Sequence, residues 1–251
     1  MTDTTSFGFR SVPADAKASM VRRVFDSVAD RYDLMNDLMS AGIHRLWKAE
    51  LIGMLAPRAG ETVLDVAGGT GDVAQAILAA QPAARAIICD INAAMVARGR
   101  DRLLDGGAIP GLARSGIGFA VGDAERLPFP DRSMDAYTIA FGLRNVTRLD
   151  AALAEARRVL KPGGRFFCLE FSHVVVPGLD RLYDLYSFGL LPTLGQAVAG
   201  DRDAYVYLVE SIRRFPRQPD LAQRMRDAGL ERPRWRNLSG GIAAIHAAWR
   251  L

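Results

Sequence analysis

A short apolar run, Val63-Leu-Asp-Val66, leads straight into Ala67-Gly-Gly-Thr-Gly-Asp72 and then into a helix-forming stretch. Gly69 and Gly71 allow a sharp turn and a close approach of ligand to backbone, and the helix that follows offers unpaired N–H groups at its start. Gly69-Thr-Gly-Asp-Val-Ala74 also satisfies the dinucleotide pattern G-x-G-x-x-G/A, with Asp90 near the ribose-binding acid of that pattern. This stretch alone therefore leaves NAD and other adenosine cofactors open. Three carboxylates narrow the choice. Asp65 precedes the turn, where it repels a pyrophosphate and suits a cation. Asp90 ends the next apolar run, where it can accept both ribose hydroxyls. Asp123, with the Ala124 backbone beside it, opens Asp-Ala-Glu-Arg-Leu-Pro-Phe-Pro130 and can accept the exocyclic amine of adenine. Any one of these acids serves equally well as a helix N-cap. Their recurrence after three consecutive strands describes a pocket for a cationic, adenosine-bearing molecule, which S-adenosylmethionine fits and NAD fits poorly.

Such residues must be held at the carboxyl ends of strands. Strand-like runs at Thr62–Val66, Ala86–Cys89, Ile117–Val121, Ala136–Ala140 and Arg165–Glu170 alternate with helical stretches around 73–80, 93–104 and 151–160, the last stopped by Lys161-Pro-Gly-Gly. This alternation predicts βαβ units on a mostly parallel, doubly wound α/β sheet. A helix near 220–228 and strands at 234–238 and 242–249 close the chain. Residues 1–60 carry Val21, Val24, Phe25, Val28, Tyr32 and Met35 at helical spacing and are expected to form a helical cap, with 61–251 as the catalytic domain. Within the latter, an apolar insertion at about 172–217 carries Leu179, Leu182, Tyr183, Leu185, Tyr186 and Phe188, read as core or as a channel for a lipid tail.

The 251 residues, 49% hydrophobic and 24% charged, suffice for a full core without staples. Two cysteines, Cys89 and Cys168, and three scattered histidines offer neither a disulfide framework nor a metal site, so no metal is expected. The opening MTDTTSFGFR has no apolar h-region, so no secretory leader is expected. Arginines form no dense tract with interleaved aromatics and net charge is only +4, which argues against nucleic acid. That charge is confined to 201–251, where 10 arginines face 6 acids. Arg213, Arg214 and Arg217 adjoin the apolar insertion, and an anionic membrane surface is the partner they predict.

FDSVADRYDLMNDLMSAGIHRLWK, VLDVAGGTGD, CDIN, GDAERLPFPD, FGLRNV, VLKPGGRFFCLEFS, YDLYSFGLLPTLG and SIRRFP together resemble the UbiE/COQ5 family, class I S-adenosylmethionine-dependent methyltransferases that C-methylate quinone precursors. The resemblance runs from about Val24 to the C-terminus. It implies a Rossmann-like fold, a seven-stranded sheet with the last strand antiparallel and helices on both faces. It also implies a prenylated quinol substrate (demethylmenaquinol, 2-polyprenyl-6-methoxy-1,4-benzoquinol, or both) and cofactor contacts through Thr70, Asp90, Asp123 and Ala124, beside Asp65, Gly69 and Gly71. Two positions depart from the pattern: Ala67 replaces the first glycine of the general motif, and Ala140 a serine that some members carry.

A ring carbon of a hydroquinol becomes nucleophilic once a neighbouring hydroxyl, titrating near 10 like tyrosine, gives up its proton. Arg144 and Asn145, after the fourth strand, are expected at the carboxyl edge of the sheet, Arg144 as a fixed cation for the phenolate and Asn145 to orient the ring oxygen. Tyr32 of the cap is expected to help relay the proton, with His173 ranked behind it. On its own, Arg144 would read as a surface ion-pair partner. Cytoplasmic placement, peripheral on the inner membrane face, other quinone-biosynthesis proteins as partners and a homodimer complete the expectations. The rival readings are an NAD-dependent oxidoreductase and a non-catalytic quinone-binding scaffold.

Overall fold

The computed structural model describes residues 3–27, 40, 42–105, 116–179, 183, 185–190 and 202–251. Strands are β1 (Thr4–Phe7), β2 (Arg10–Pro13), β3 (Thr62–Val66), β4 (Arg85–Asp90), β5 (Ile117–Val121), β6 (Met134–Ala140), β7 (Leu160–Phe171), β8 (Glu231–Leu238) and β9 (Ala243–Trp249). Helices are α1 (Ala14–Ser27), α2 (His44–Leu55), α3 (Asp72–Ala80), α4 (Ala93–Asp105), α5 (Leu149–Val159), α6 (Arg202–Arg214) and α7 (Gln218–Asp227).

The main sheet has seven strands in the order β5-β4-β3-β6-β7-β9-β8, parallel throughout except for β9, which runs antiparallel to both β7 and β8. The strands nearest the centre are apolar on both faces, as parallel strands covered on both sides must be. Alternation along them assigns the two layers. Val63, Phe167 and Leu169 belong to one core with α2, α3 and α6, whereas Leu64, Phe166 and Cys168 belong to the other with α5 and α7. In α5, Ala152, Leu153, Ala156 and Val159 form the single buried face that the spacing of LDAALAEARRV dictates.

Several expectations change. The first sixty residues are not helical only: β1 and β2 form an antiparallel hairpin ahead of α1. Helix α2 packs as ordinary core, with Trp47, Leu51 and Leu55 in the cluster of β3 and β7, and Trp47 edge-on to Phe171 at 5.8 Å. Lys161-Pro-Gly-Gly does not separate a helix from a strand. Strand β7 already begins at Leu160, and the glycines sit where the pairing with β6 slips between Met134 and Ala136. In the apolar insertion Tyr183 is buried while Leu185 is 72% exposed, so these two do not share one face. Cys89 and Cys168 are buried and free, on strands separated by β3 and β6. Among the described residues no helix is long and apolar enough to cross a membrane.

Candidate functional site

Strand β3 ends at the sheet's carboxyl edge beside β4 and β6, which opens the crevice expected at the centre of a doubly wound sheet. The chain then turns through Ala67–Gly71 into α3, whose N-cap is Gly71 at φ +84°. A Cβ there would come within 2.5 Å of Ile88 Cδ1. Ala67 itself sits at φ +51°, the left-handed region that L-residues avoid, which explains why a glycine is the general choice at this position. Ala67→Gly is therefore expected to raise stability by about 1 kcal/mol, or roughly 2 °C in Tm. Thermal unfolding at fixed pH checks this, and an unchanged or lower Tm would mean that Cβ packing outweighs the strain.

Beneath the turn lies Asp65, fully buried. Its Oδ1 accepts the Thr138 hydroxyl at 2.9 Å, as the pairing of β3 with β6 requires, but its Oδ2 has no hydrogen-bond partner among the described residues. Burial pushes this carboxyl up to about 7. Lys48 pulls it down and Asp90 and Asp72 push it up by smaller amounts. Lys48 Nζ is 3.1 Å from Asp72 Oδ2, and Arg102 binds the other oxygen of Asp72. Asp65, Gly69, Thr70, Lys48 and Phe141 line one hollow, and Ala140 lines it too, so position 140 itself contributes no hydroxyl.

The larger cleft continues along the strand ends. Gly69, Asp90, Asp123, Ala124 and Asn145 line it, together with Asn92, Met95 and Phe141. Asp90 is held by two backbone donors, with Oδ2 accepting from Gly69 N–H at 3.0 Å and Oδ1 from Asn92 N–H at 2.8 Å. Its carboxyl is raised by burial, against those two hydrogen bonds. Asp123 accepts the Glu125 N–H at 2.9 Å, an Asx turn that holds the loop after β5. Ala18, Val21 and Arg22 of α1 also line the cleft.

Of the sequence-predicted cofactor residues, Gly69, Asp90, Asp123 and Ala124 meet in the cleft, and Asp65 and Thr70 meet Gly69 in the adjoining hollow. Gly71 lines neither and is the N-cap of α3. An orphaned buried carboxylate oxygen beside a turn where a Cβ on Gly68 would lie 2.8 Å from it is a cradle for a cationic ligand, and S-adenosylmethionine fits it. A dinucleotide would place its pyrophosphate over this acid. Sequence reasoning missed Asn92, whose Oδ1 caps α4 through Ala94 N–H at 3.0 Å. The asparagine immediately before a helical run was the available signal. It also missed Lys48 and Met95.

The catalytic expectations divide. Leu143–Asn145 forms one 3-10 turn, and its consecutive side chains diverge. Asn145 faces the cleft, its Nδ2 donating to the Phe141 carbonyl at 3.4 Å and its Oδ1 accepting from Tyr207 at 3.0 Å. Arg144 does not stand free as a cation for a substrate oxygen. Its side chain is 2% exposed, and Nη1 donates to Glu170 Oε1 and to the Phe141 carbonyl, both at 2.6 Å, with Phe171 beneath the guanidinium. Glu170 neutralises it, so Arg144 is an ion-pair partner, but a buried one and not at the surface as the plainer expectation had it. His173 is likewise engaged, its Nε2 lying 2.8 Å from the Phe215 carbonyl. Tyr32 lies outside the described residues. Arg213 and Arg214 lie over the rings of Tyr183 and Phe9. Among the described residues no group of three or more His, Cys, Asp or Glu side chains could hold a metal ion.

The profile of the ubiE/COQ5 methyltransferase family matches residues 6–250. A relative from Nitrobacter hamburgensis, described as a ubiquinone/menaquinone biosynthesis C-methyltransferase UbiE, is 58% identical over 99% of this chain and 98% of its own. One of the same description from Acidiphilium cryptum is 57% identical over 99% and 98%. Among solved structures, a SAM-dependent methyltransferase from Aquifex aeolicus superposes with a TM-score of 0.58 at 16% identity, covering 81% of this chain and 89% of that one, a likeness of fold. Identity near 58% across almost the entire chain goes well beyond shared architecture: the chain belongs to the ubiE/COQ5 methyltransferase family and is an S-adenosylmethionine-dependent methyltransferase.

Proposed function

We propose that the chain transfers a methyl group to a ring carbon of a prenylated hydroquinone in ubiquinone and menaquinone biosynthesis, with Asn145 as the residue that orients the ring oxygen. The observation that supports this reading is that Asn145 lines the same cleft as Gly69, Asp90, Asp123 and Ala124. S-adenosylmethionine supplies a methyl group on a sulfonium and leaves as a neutral thioether.

The chain's own contributions follow from the geometry. Asp65 offers one unpaired carboxylate oxygen to the cationic end of the cofactor. Asp90, already oriented by two backbone N–H groups, keeps lone pairs for the ribose hydroxyls. Asp123 and the Ala124 backbone take the adenine edge, and Thr70 sits beside the turn. Helix α1 contributes Ala18, Val21 and Arg22 to the cleft's lining. An N–H of Asn145 meets the ring oxygen as negative charge gathers there, at the place where a hydrogen bond lowers the barrier. Arg144 and Glu170 hold the turn that carries Asn145 and do not themselves meet the ring.

The test is incubation of the protein with S-adenosylmethionine labelled in its methyl group and, separately, reduced demethylmenaquinone and a reduced 2-polyprenyl-6-methoxybenzoquinone. Label in a ring C–CH3 of either product is the expected result. Absence of label in both, with the cofactor bound, would sink the reading and leave a quinone-binding role. Binding of NAD in preference to S-adenosylmethionine would favour the oxidoreductase instead.

A further inference from the structure

Tyr207 of α6 lies outside the cofactor cleft and is only 4% exposed, yet its hydroxyl reaches Asn145 Oδ1 at 3.0 Å. Its ring stacks on Phe7 of β1, centroids 4.2 Å apart and planes inclined by 21°. The hairpin carrying Phe7 is in turn fixed to the same helix. The Phe9 N–H donates to Glu210 Oε2 at 2.9 Å, and Gly8, at φ +58°, lies so close that a Cβ would come within 2.2 Å of that oxygen. The aromatic ring is thus held on its face by a hairpin tied to its own helix.

The orientation of the carboxamide is determined by its two neighbours. Nδ2 of Asn145 faces the Phe141 carbonyl at 3.4 Å, and a carbonyl can only accept, so the nitrogen belongs on that side. Oδ1 then faces Tyr207, and Tyr207 must be the donor. Burial pushes the tyrosine hydroxyl up to about 12, against a weaker pull from Arg144, so it keeps the proton it donates. A primary amide has two N–H bonds. One is engaged by Phe141, and the other is left for the cleft that Asn145 lines.

We propose that Tyr207 is a positioning residue for methyl transfer: by holding Asn145 Oδ1 it keeps the amide N–H, and not the amide oxygen, facing the quinol ring oxygen. The inference rests on the role given to Asn145 above. Without the hydroxyl only the longer contact to the Phe141 carbonyl, 3.4 Å, orients the carboxamide, and its N–H is held toward the ring oxygen less firmly.

Tyr207→Phe keeps the ring and its stack on Phe7 and removes only the hydroxyl. Steady-state kinetics should show kcat lower by about tenfold, the scale of one lost hydrogen bond in the transition state, with the KM and calorimetric affinity for S-adenosylmethionine unchanged. In an Asn145→Ala background the same substitution should cause no further loss. If Asn145→Ala is impaired while Tyr207→Phe turns over like the parent, this inference falls and the role of Asn145 stands. If Asn145→Ala itself turns over like the parent, the role of Asn145 falls and the inference with it. Equal fractional losses by Tyr207→Phe in both backgrounds, or a parallel loss of cofactor affinity, would mean that Tyr207 is a general prop and overturn the proposal.

Discussion

Arg144→Met is expected to cost about 3–5 kcal/mol of stability at neutral pH, the toll of leaving Glu170 buried without its counter-charge. In the intact protein that carboxylate accepts Arg144 Nη1 at 2.6 Å, Phe171 N–H at 2.9 Å and Arg144 N–H at 3.3 Å. Burial still pushes the Glu170 carboxyl above its ordinary value, with Arg144 as the largest force holding it down. Removing the arginine lets the carboxyl rise further. A raised carboxyl favours the folded state while protonated, and that contribution is lost as pH rises through its folded-state value. The deficit of Arg144→Met should therefore be smallest in mild acid, near the ordinary glutamate range, and grow toward neutrality. Urea unfolding at pH 5 and pH 8 separates the two regimes. A second substitution, Glu170→Leu, on top of Arg144→Met should recover much of the loss, because an apolar pair of similar volume carries no desolvation cost. If Arg144→Met loses less than about 1 kcal/mol at pH 8, the pair is not what holds the turn. The sequence reading made Arg144 an electrostatic catalyst, which predicts lost turnover with stability intact, so the measurement distinguishes the two roles.

That reassignment marks the limit of what spacing alone conveys. The glycine turn, Asp65, Asp90 and Asp123 were legible because each sits at or just past the carboxyl end of a strand, and a strand's carboxyl end is a local property of the chain. The βαβ order was legible for the same reason, since β-branched runs alternate with amphipathic helices such as α5. Glu170 was not legible as the partner of Arg144. Its nearness depends on β6 and β7 being neighbours in register, which brings together residues 26 apart. Tyr207 reaches Asn145 across 62 residues and Lys17 donates to the Val146 carbonyl across 129, contacts that no periodicity announces. The hairpin of Thr4–Pro13 escaped because two strands of four residues, mostly exposed, carry neither an apolar alternation nor a recognisable run.

Affinity for S-adenosylmethionine is expected to climb as pH rises toward 7, by up to about tenfold per unit, and to level off above it. The cause is Asp65. In the free protein its carboxyl is pushed up to about 7 by burial, with Thr138 bonded to one oxygen and, among the described residues, nothing bonded to the other. Below that value it is mostly protonated, and a cation can be received only after the proton is displaced. Binding should accordingly release close to one proton per site at pH 6 and almost none at pH 8. Calorimetric titrations in two buffers of different ionisation enthalpy count those protons directly. Asp65→Asn should bind weakly at every pH and release none, which separates Asp65 from Asp90, whose carboxyl is also raised by burial. The upper side of the profile identifies the cationic group that Asp65 meets. An α-amino group titrates at about 7.7–8.0, so a partner of that kind makes affinity fall again at higher pH, whereas a sulfonium carries its charge at every pH and leaves a plateau. Proton release of zero at pH 6 with an affinity flat from pH 5.5 to 8.5 would show that Asp65 does not face the charge, and the assignment of the hollow beneath Gly68 to the cofactor's cationic end would have to be abandoned.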